Sequence, residues 1–249
     1  MIDLPWATVA VVGAIVMLGY TVFGLTGFGS SIVAIPLLAH VLPLRFAVPM
    51  MLVFDLSAGV LLGLKNRGHV DRGELLRLLP FLLVGMALGA TLLAKASDRW
   101  LLTVLGTFVF GYAGLNLLRK SRPALISKAW AMPAGAIGGV FTALYGTGGP
   151  VYTMYLARRL PDKFVLRATI ATLIVITAFV RLVLFTAGGF YAQHGLVPLA
   201  LALIPCAIAG YLAGARLHAR LPAERVAQGI WLLLVAGGAS LLWRGLSMP

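Results

Sequence analysis

The chain has 249 residues, of which 61% are hydrophobic and 11% charged, with a mean hydropathy of +0.99. Soluble globular domains carry about 25% charged residues, so the composition excludes a water-soluble domain and points to an integral membrane protein. The net charge of +13 does not indicate nucleic acid, because the basic residues fall in short clusters between apolar runs, as the cytoplasmic loops of membrane proteins have them.

Residues 1–5 contain no Lys or Arg, unlike the start of a secretory signal peptide, so the first apolar run is expected to stay as a helix. Runs at 6–23, 46–64, 75–94 and 100–118 are long enough to cross a bilayer. A short run at about 30–41 lies between the first two and follows a glycine-rich stretch. The second half repeats this order, with runs at 129–144, 164–187, 196–217 and 226–243 and a short run at 151–157 behind a second glycine-rich stretch. An all-α polytopic protein follows, with four long helices and one short half-helix in each of two membrane repeats, residues 1–120 and 121–249. The single cysteine, Cys206, sits within an apolar run, and no internal disulfide exists.

The two glycine-rich stretches are aligned copies. Gly27-Phe28-Gly29-Ser30 lies over Gly146-Thr147-Gly148-Gly149 at an offset of 119. A second alignment, at offset 125, sets residues 80–94 on 205–219 with six identities in fifteen positions, among them Gly85/Gly210 and Gly89/Gly214. Both copies carry Gly-x-x-x-Gly, which lets helix backbones approach closely where lipid supplies no hydrophobic drive. The chain therefore reads as a tandem duplication with its seam near residues 121–128.

Charge orients the halves. Fifteen of the twenty Lys and Arg residues flank four segments, around residues 65–77, 119–128, 158–167 and 216–225, all assigned to the cytoplasm. For the second and third of these to share a side, 129–144 and the following short run must cross and return. Each half then makes five passes, and an odd number inverts the second copy. A re-entrant reading of the short runs gives eight spans and parallel halves, and it fits the third basic segment poorly.

A short helix entered through a glycine break exposes unpaired amides near the midplane, the arrangement in which inverted-repeat transporters hold an anion. Glycine admits the backbone conformations needed and lets a ligand reach the main chain. The candidate substrate-binding residues are Gly27, Gly29, Ser30, Ser31, Gly146, Thr147, Gly148 and Gly149, with Tyr145 and Tyr152 closing the pocket. Asp55, near the middle of an apolar run, and Arg181 are candidates for an ion pair or for proton coupling; plain snorkelling of Arg181 to the interface is the alternative. Asp55 is taken as the one acidic residue in a membrane segment.

The chain resembles the TauE/SafE family of sulfite and organosulfonate exporters. The resemblance rests on Gly27-Phe-Gly-Ser-Ser31 with Pro36 downstream, on Gly146-Thr-Gly-Gly-Pro150, on Phe164-Val-Leu-Arg-Ala-Thr169 and on the paired Pro…Gly-x-x-x-Gly helices. It implies a bacterial inner-membrane permease for small sulfur-containing or carboxylate anions, working by alternating access at a midplane site. The expected partners are a small anionic substrate and the lipid bilayer, with no nucleic acid, and homodimerisation is left open. No cofactor, metal site or catalytic residue is expected.

Two other classes are weighed. An intramembrane hydrolase with Ser30 or Ser31 as nucleophile needs a histidine within reach, and His40 lies at the far end of the short helix. A cation channel would have little but carbonyls to build its site from. A proton-coupled importer remains, with Asp55 as the residue to test. No phosphate-loop motif occurs, so the chain does not use ATP through that motif.

Overall fold

The computed structural model describes residues 5–26, 29–63, 69–118, 125–218 and 223–247. Among these, the chain forms α1 (Trp6–Thr26), α2 (Ser30–Leu38), α3 (Leu44–Gly63), α4 (Arg72–Lys95), α5 (Asp98–Leu118), α6 (Ala131–Tyr145), α7 (Gly149–Leu156), α8 (Lys163–Ala187), α9 (Leu196–His218) and α10 (Ala223–Ser247). Short 3-10 turns precede α6 and α9, and no strand occurs among the described residues. Every expected run is a helix, and the two short ones, of 9 and 8 residues, sit second in their halves. Among the described residues, five helices, α1, α4, α8 and most of α9 and α10, are long and apolar enough to cross a membrane.

The helices pack into two compact units. One comprises residues 1–50, 96–120 and 192–249 and holds α1, α2, α5, α9 and α10; the other comprises 51–95 and 121–191 and holds most of α3 with α4, α6, α7 and α8. Each unit draws helices from both sequence halves, so the compact units are a different division from the duplication. Within the first, Val16, Tyr20, Ile35, Leu105, Val109 and Leu203 are buried; within the second, Phe54, Leu82, Met86, Tyr145, Leu173 and Phe185. Large apolar side chains such as Val84, Leu88, Phe179, Val183, Leu201 and Leu212 point outward, as lipid-facing positions of apolar helices do. Trp6, Trp100, Trp130 and Trp243 are also exposed and close to helix ends, as an interfacial belt requires.

Glycine sets the closest helix crossings, and it does so by the same rule in both units. In the first, α1 lies on α9: a Cβ at Gly210 would run into the carbonyl oxygen of Met17, and one at Gly214 into that of Thr21. In the second, α6 lies on α4: a Cβ at Gly85 would run into the carbonyl oxygen of Ala136, and one at Gly89 comes too close to that of Val140. Ala136 and Val140 follow Met17 and Thr21 by 119 positions, and Gly210 and Gly214 follow Gly85 and Gly89 by 125. These are the two offsets of the sequence duplication. The first helix of each repeat thus packs on the fourth helix of the other, and bare backbone at the crossing gives the dispersion contact that replaces hydrophobic drive in lipid.

Candidate functional site

The second glycine break is built on the end of α6. Gly146 takes a left-handed conformation (φ 68°), and its amide and that of Thr147 bond back to the carbonyls of Thr142 (2.9 Å) and Phe141 (3.2 Å). The turn closes α6, and α7 starts at once. Pro150 occupies the first turn of α7, where a missing N–H is no loss. Gly148 is pressed against α6: a Cβ there would overlap Thr142 Oγ1 and the Gly138 carbonyl. Its glycine is thus required by packing alone. Gly149 faces no such wall, since a Cβ would meet only the Tyr152 hydroxyl at 3.6 Å.

Thr147 is 2% exposed, and its Oγ1 has no hydrogen-bond partner. A buried hydroxyl left without a partner costs roughly 1–3 kcal/mol. Tyr145, the last residue of α6, and Tyr152, in the first turn of α7, are both buried.

The first break lies in the other unit. Gly29 is left-handed (φ 92°) and α2 begins at Ser30; Gly27 and Phe28 lie outside the described residues. Ser30 and Ser31 are 5% and 3% exposed, and eight of the nine residues of α2 are buried. Gly19 of α1 faces the Ser30 carbonyl, and Gly138 of α6, 119 positions after Gly19, faces that of Gly148, 118 positions after Ser30. Beyond α2, Arg244 donates to the Ala39 carbonyl (2.6 Å), and His40 Nε2 lies 3.3 Å from Ser240 Oγ. His40 is therefore engaged by α10, beyond the C-terminal end of α2, and not placed as a base for Ser30 or Ser31.

Arg181 of α8 and Asp55 of α3 form an ion pair, Nη2 to Oδ2 at 3.2 Å. Arg181 is 4% exposed, so the snorkelling reading is overturned: its head is inside the unit, not at an interface. Nε and Nη1 of the same guanidinium have no hydrogen-bond partner. Leaving two nitrogens of a buried cation unsatisfied is costly, and the pair lies beside the short helix, since the charges of Arg181 and Asp55 act on Tyr152 of α7. They also act on Tyr191, beyond the end of α8, whose phenol burial pushes up to about 12.

The sequence reading missed Glu74. It is 5% exposed in the first turn of α4, a helix long and apolar enough to cross the membrane, so the expectation that Asp55 is the one acidic residue in a membrane segment is corrected. Asp71-Arg-Gly-Glu74 has capping-box spacing, and Asp71 Oδ1 does accept from the Glu74 amide (2.8 Å). The reciprocal bond is not made. Thr169 Oγ1 of α8 takes the Asp71 amide instead (3.1 Å), which frees the Glu74 carboxylate. That carboxylate accepts from Tyr155 Oη (2.5 Å), Arg77 Nη1 (2.6 Å) and both Nε and Nη2 of Arg159 (3.1 Å each). Arg159, just past the C-terminal end of α7, ties that end to α4 and to the Ile126 carbonyl (3.2 Å). The available signal was the capping spacing beside two arginines, Arg72 and Arg77.

Comparison with known proteins adds two findings. The family model described as sulfite exporter TauE/SafE matches residues 11–241. The curated protein "Probable inner membrane transporter protein TsaS" of Comamonas testosteroni is 30% identical over 200 residues, which span 78% of this chain and 83% of that protein. No solved structure matches.

Proposed function

The chain belongs to the sulfite exporter TauE/SafE family and is a membrane transporter, and from that premise we propose that it exports a small oxyanion, a sulfite, sulfonate or related organosulfur or carboxylate anion, across a bacterial inner membrane. The observation that carries the anion assignment is Arg181, a buried guanidinium with two unpartnered donors in the same unit as the unpartnered Thr147 hydroxyl. Arg181 supplies fixed positive charge. Thr147 and the amide of Gly149, the first residue of α7, supply directed donors where the helix dipole is positive. Gly27, Gly29, Ser30 and Ser31 are the proposed anion contacts of the first break, with Tyr145 and Tyr152 bounding the second. An inside-negative potential favours loss of a monovalent anion by about 2.3 kcal/mol per 100 mV, so export needs no nucleotide.

Antiparallel repeats working by alternating access are part of the same proposal. The matched glycine crossings and the repeated order of long and short helices support the duplication. The four basic segments support the inversion. Reporter fusions at Ser121 and after Pro249 are expected on opposite sides of the membrane; one side for both would end the inverted reading.

The anion assignment is tested by efflux from proteoliposomes loaded with sulfite, a sulfonate or a carboxylate, with and without a pH gradient. Arg181→Gln is expected to reduce flux by about 100-fold and Thr147→Val by about tenfold, losses of the size that one charged and one neutral hydrogen bond account for. Wild-type flux in both variants, shown to be inserted and folded, would overturn the assignment.

A further inference from the structure

Arg181 and Asp55 together carry no net charge, and both are withdrawn from water, with side chains 5% and 14% exposed. Both charges reach the neighbouring Tyr152 and Tyr191. A singly charged solute held at Nε or Nη1 brings the group to minus one. A doubly charged solute brings it to minus two, with the Asp55 carboxylate 3.2 Å from the same guanidinium. Repulsion from Asp55 and attraction to Arg181 both double when the solute's charge doubles, but the cost of stripping water from the solute rises as the square of its charge, so a neutral pair accepts a monoanion at far less cost than a dianion. Removing Asp55 would leave the guanidinium fully available, a site suited to a dianion.

We propose that Asp55 is the charge-selecting residue of the transporter: by occupying Nη2 of Arg181 it restricts the site to singly charged oxyanions, sulfonates and hydrogen sulfite among them, and turns away dianions. This rests on the reading of Arg181 as the anion anchor. It ranks a simple sulfonate above sulfate although the two have almost the same tetrahedral shape, and above sulfoacetate, which carries a second charge. Discrimination of this kind works by an unfavourable interaction with the wrong solute, not by a better contact with the right one.

The test compares methanesulfonate with sulfate, near-isosteric solutes differing by one charge, in proteoliposomes held at zero membrane potential. Wild-type protein is expected to favour methanesulfonate by about tenfold or more in kcat/KM, and Asp55→Asn to shrink that ratio by about tenfold, mainly through a lower KM for sulfate. Asp55→Glu, which keeps the charge, is expected to keep the wild-type ratio. An unchanged ratio in Asp55→Asn, in a protein whose flux still depends on Arg181, would sink the selectivity role and leave the anion assignment standing. Wild-type flux of both solutes in the double variant Asp55→Asn/Arg181→Gln would remove the anchor and the selectivity together. Should Asp55→Asn fail to fold, competition on the wild-type protein decides: sulfate at tenfold the KM of methanesulfonate is expected to leave methanesulfonate flux within twofold, and inhibition as strong as an equal dose of unlabelled methanesulfonate would refute the proposal.

Discussion

Arg159 reaches across 85 positions of chain to place both Nε and Nη2 on a single oxygen of Glu74, at 3.1 Å each. Tyr155, on the last turn of α7 just ahead of Arg159, donates to the other carboxylate oxygen. A helix of 8 residues has too few internal hydrogen bonds to hold itself, so its position depends on such ties. Glu74→Ala leaves Arg159 and Tyr155 facing a buried gap, and the expected loss is about 3 kcal/mol, the range for removing one member of a buried pair. Glu74→Gln keeps a partner for Tyr155 and is expected to lose less than half of that. Chemical unfolding in detergent followed by circular dichroism reads both; a Glu74→Ala protein as stable as wild type would show that α7 is held some other way.

Gly210 and Gly111 are both helical glycines with opposite surroundings. A methyl at Gly210 has to displace the backbone of α1, whereas nothing lies within 4 Å of a Cβ at Gly111. Gly210→Ala is therefore expected to destabilise by about 1–3 kcal/mol through overpacking. Gly111→Ala is expected to be neutral or to stabilise by up to about 1 kcal/mol from helix propensity. Thermal unfolding of the two variants side by side tests the crossing; equal effects would contradict the packing described.

Arg181→Gln alone takes the guanidinium from the Asp55 charge, and Asp55→Asn alone takes the carboxylate from the Arg181 charge. The double variant removes both charges. Each single change is expected to cost about 3–5 kcal/mol of stability and the double change clearly less than their sum. Additive losses in the double-mutant cycle would mean that the pair is not coupled.

Tyr191 lies beyond α8, and burial is the main reason its phenol titrates at about 12, with Asp55 adding to the rise and Arg181 opposing it. The folded value exceeds the ordinary 10.0, so the folded state favours the protonated phenol. Its contribution is complete below pH 10 and is lost as pH climbs through the folded value. Melting temperatures in detergent between about pH 9 and 12 are expected to fall less steeply for Tyr191→Phe than for wild type. Parallel slopes would place the alkaline loss elsewhere.

What the chain's letters alone determined is what repeats and what lipid demands. Uninterrupted apolar runs have to become helices, because hydrocarbon leaves backbone amides no other partner, and so every run was found where its hydropathy put it. The two offsets of 119 and 125 marked the glycines that later proved to be crossings, since close backbone approach admits no side chain at Gly85 or Gly210. Tertiary structure alone decided partners separated along the chain. Nothing local assigns α1 to α9 and α6 to α4, pairs Arg181 with a carboxylate 126 positions away, or hands the Asp71 amide to Thr169 so that Glu74 is free to hold Tyr155 and Arg159. Hydropathy records how much each residue resists leaving water; which charge satisfies which, once water is gone, is settled by how the helices come to lie together.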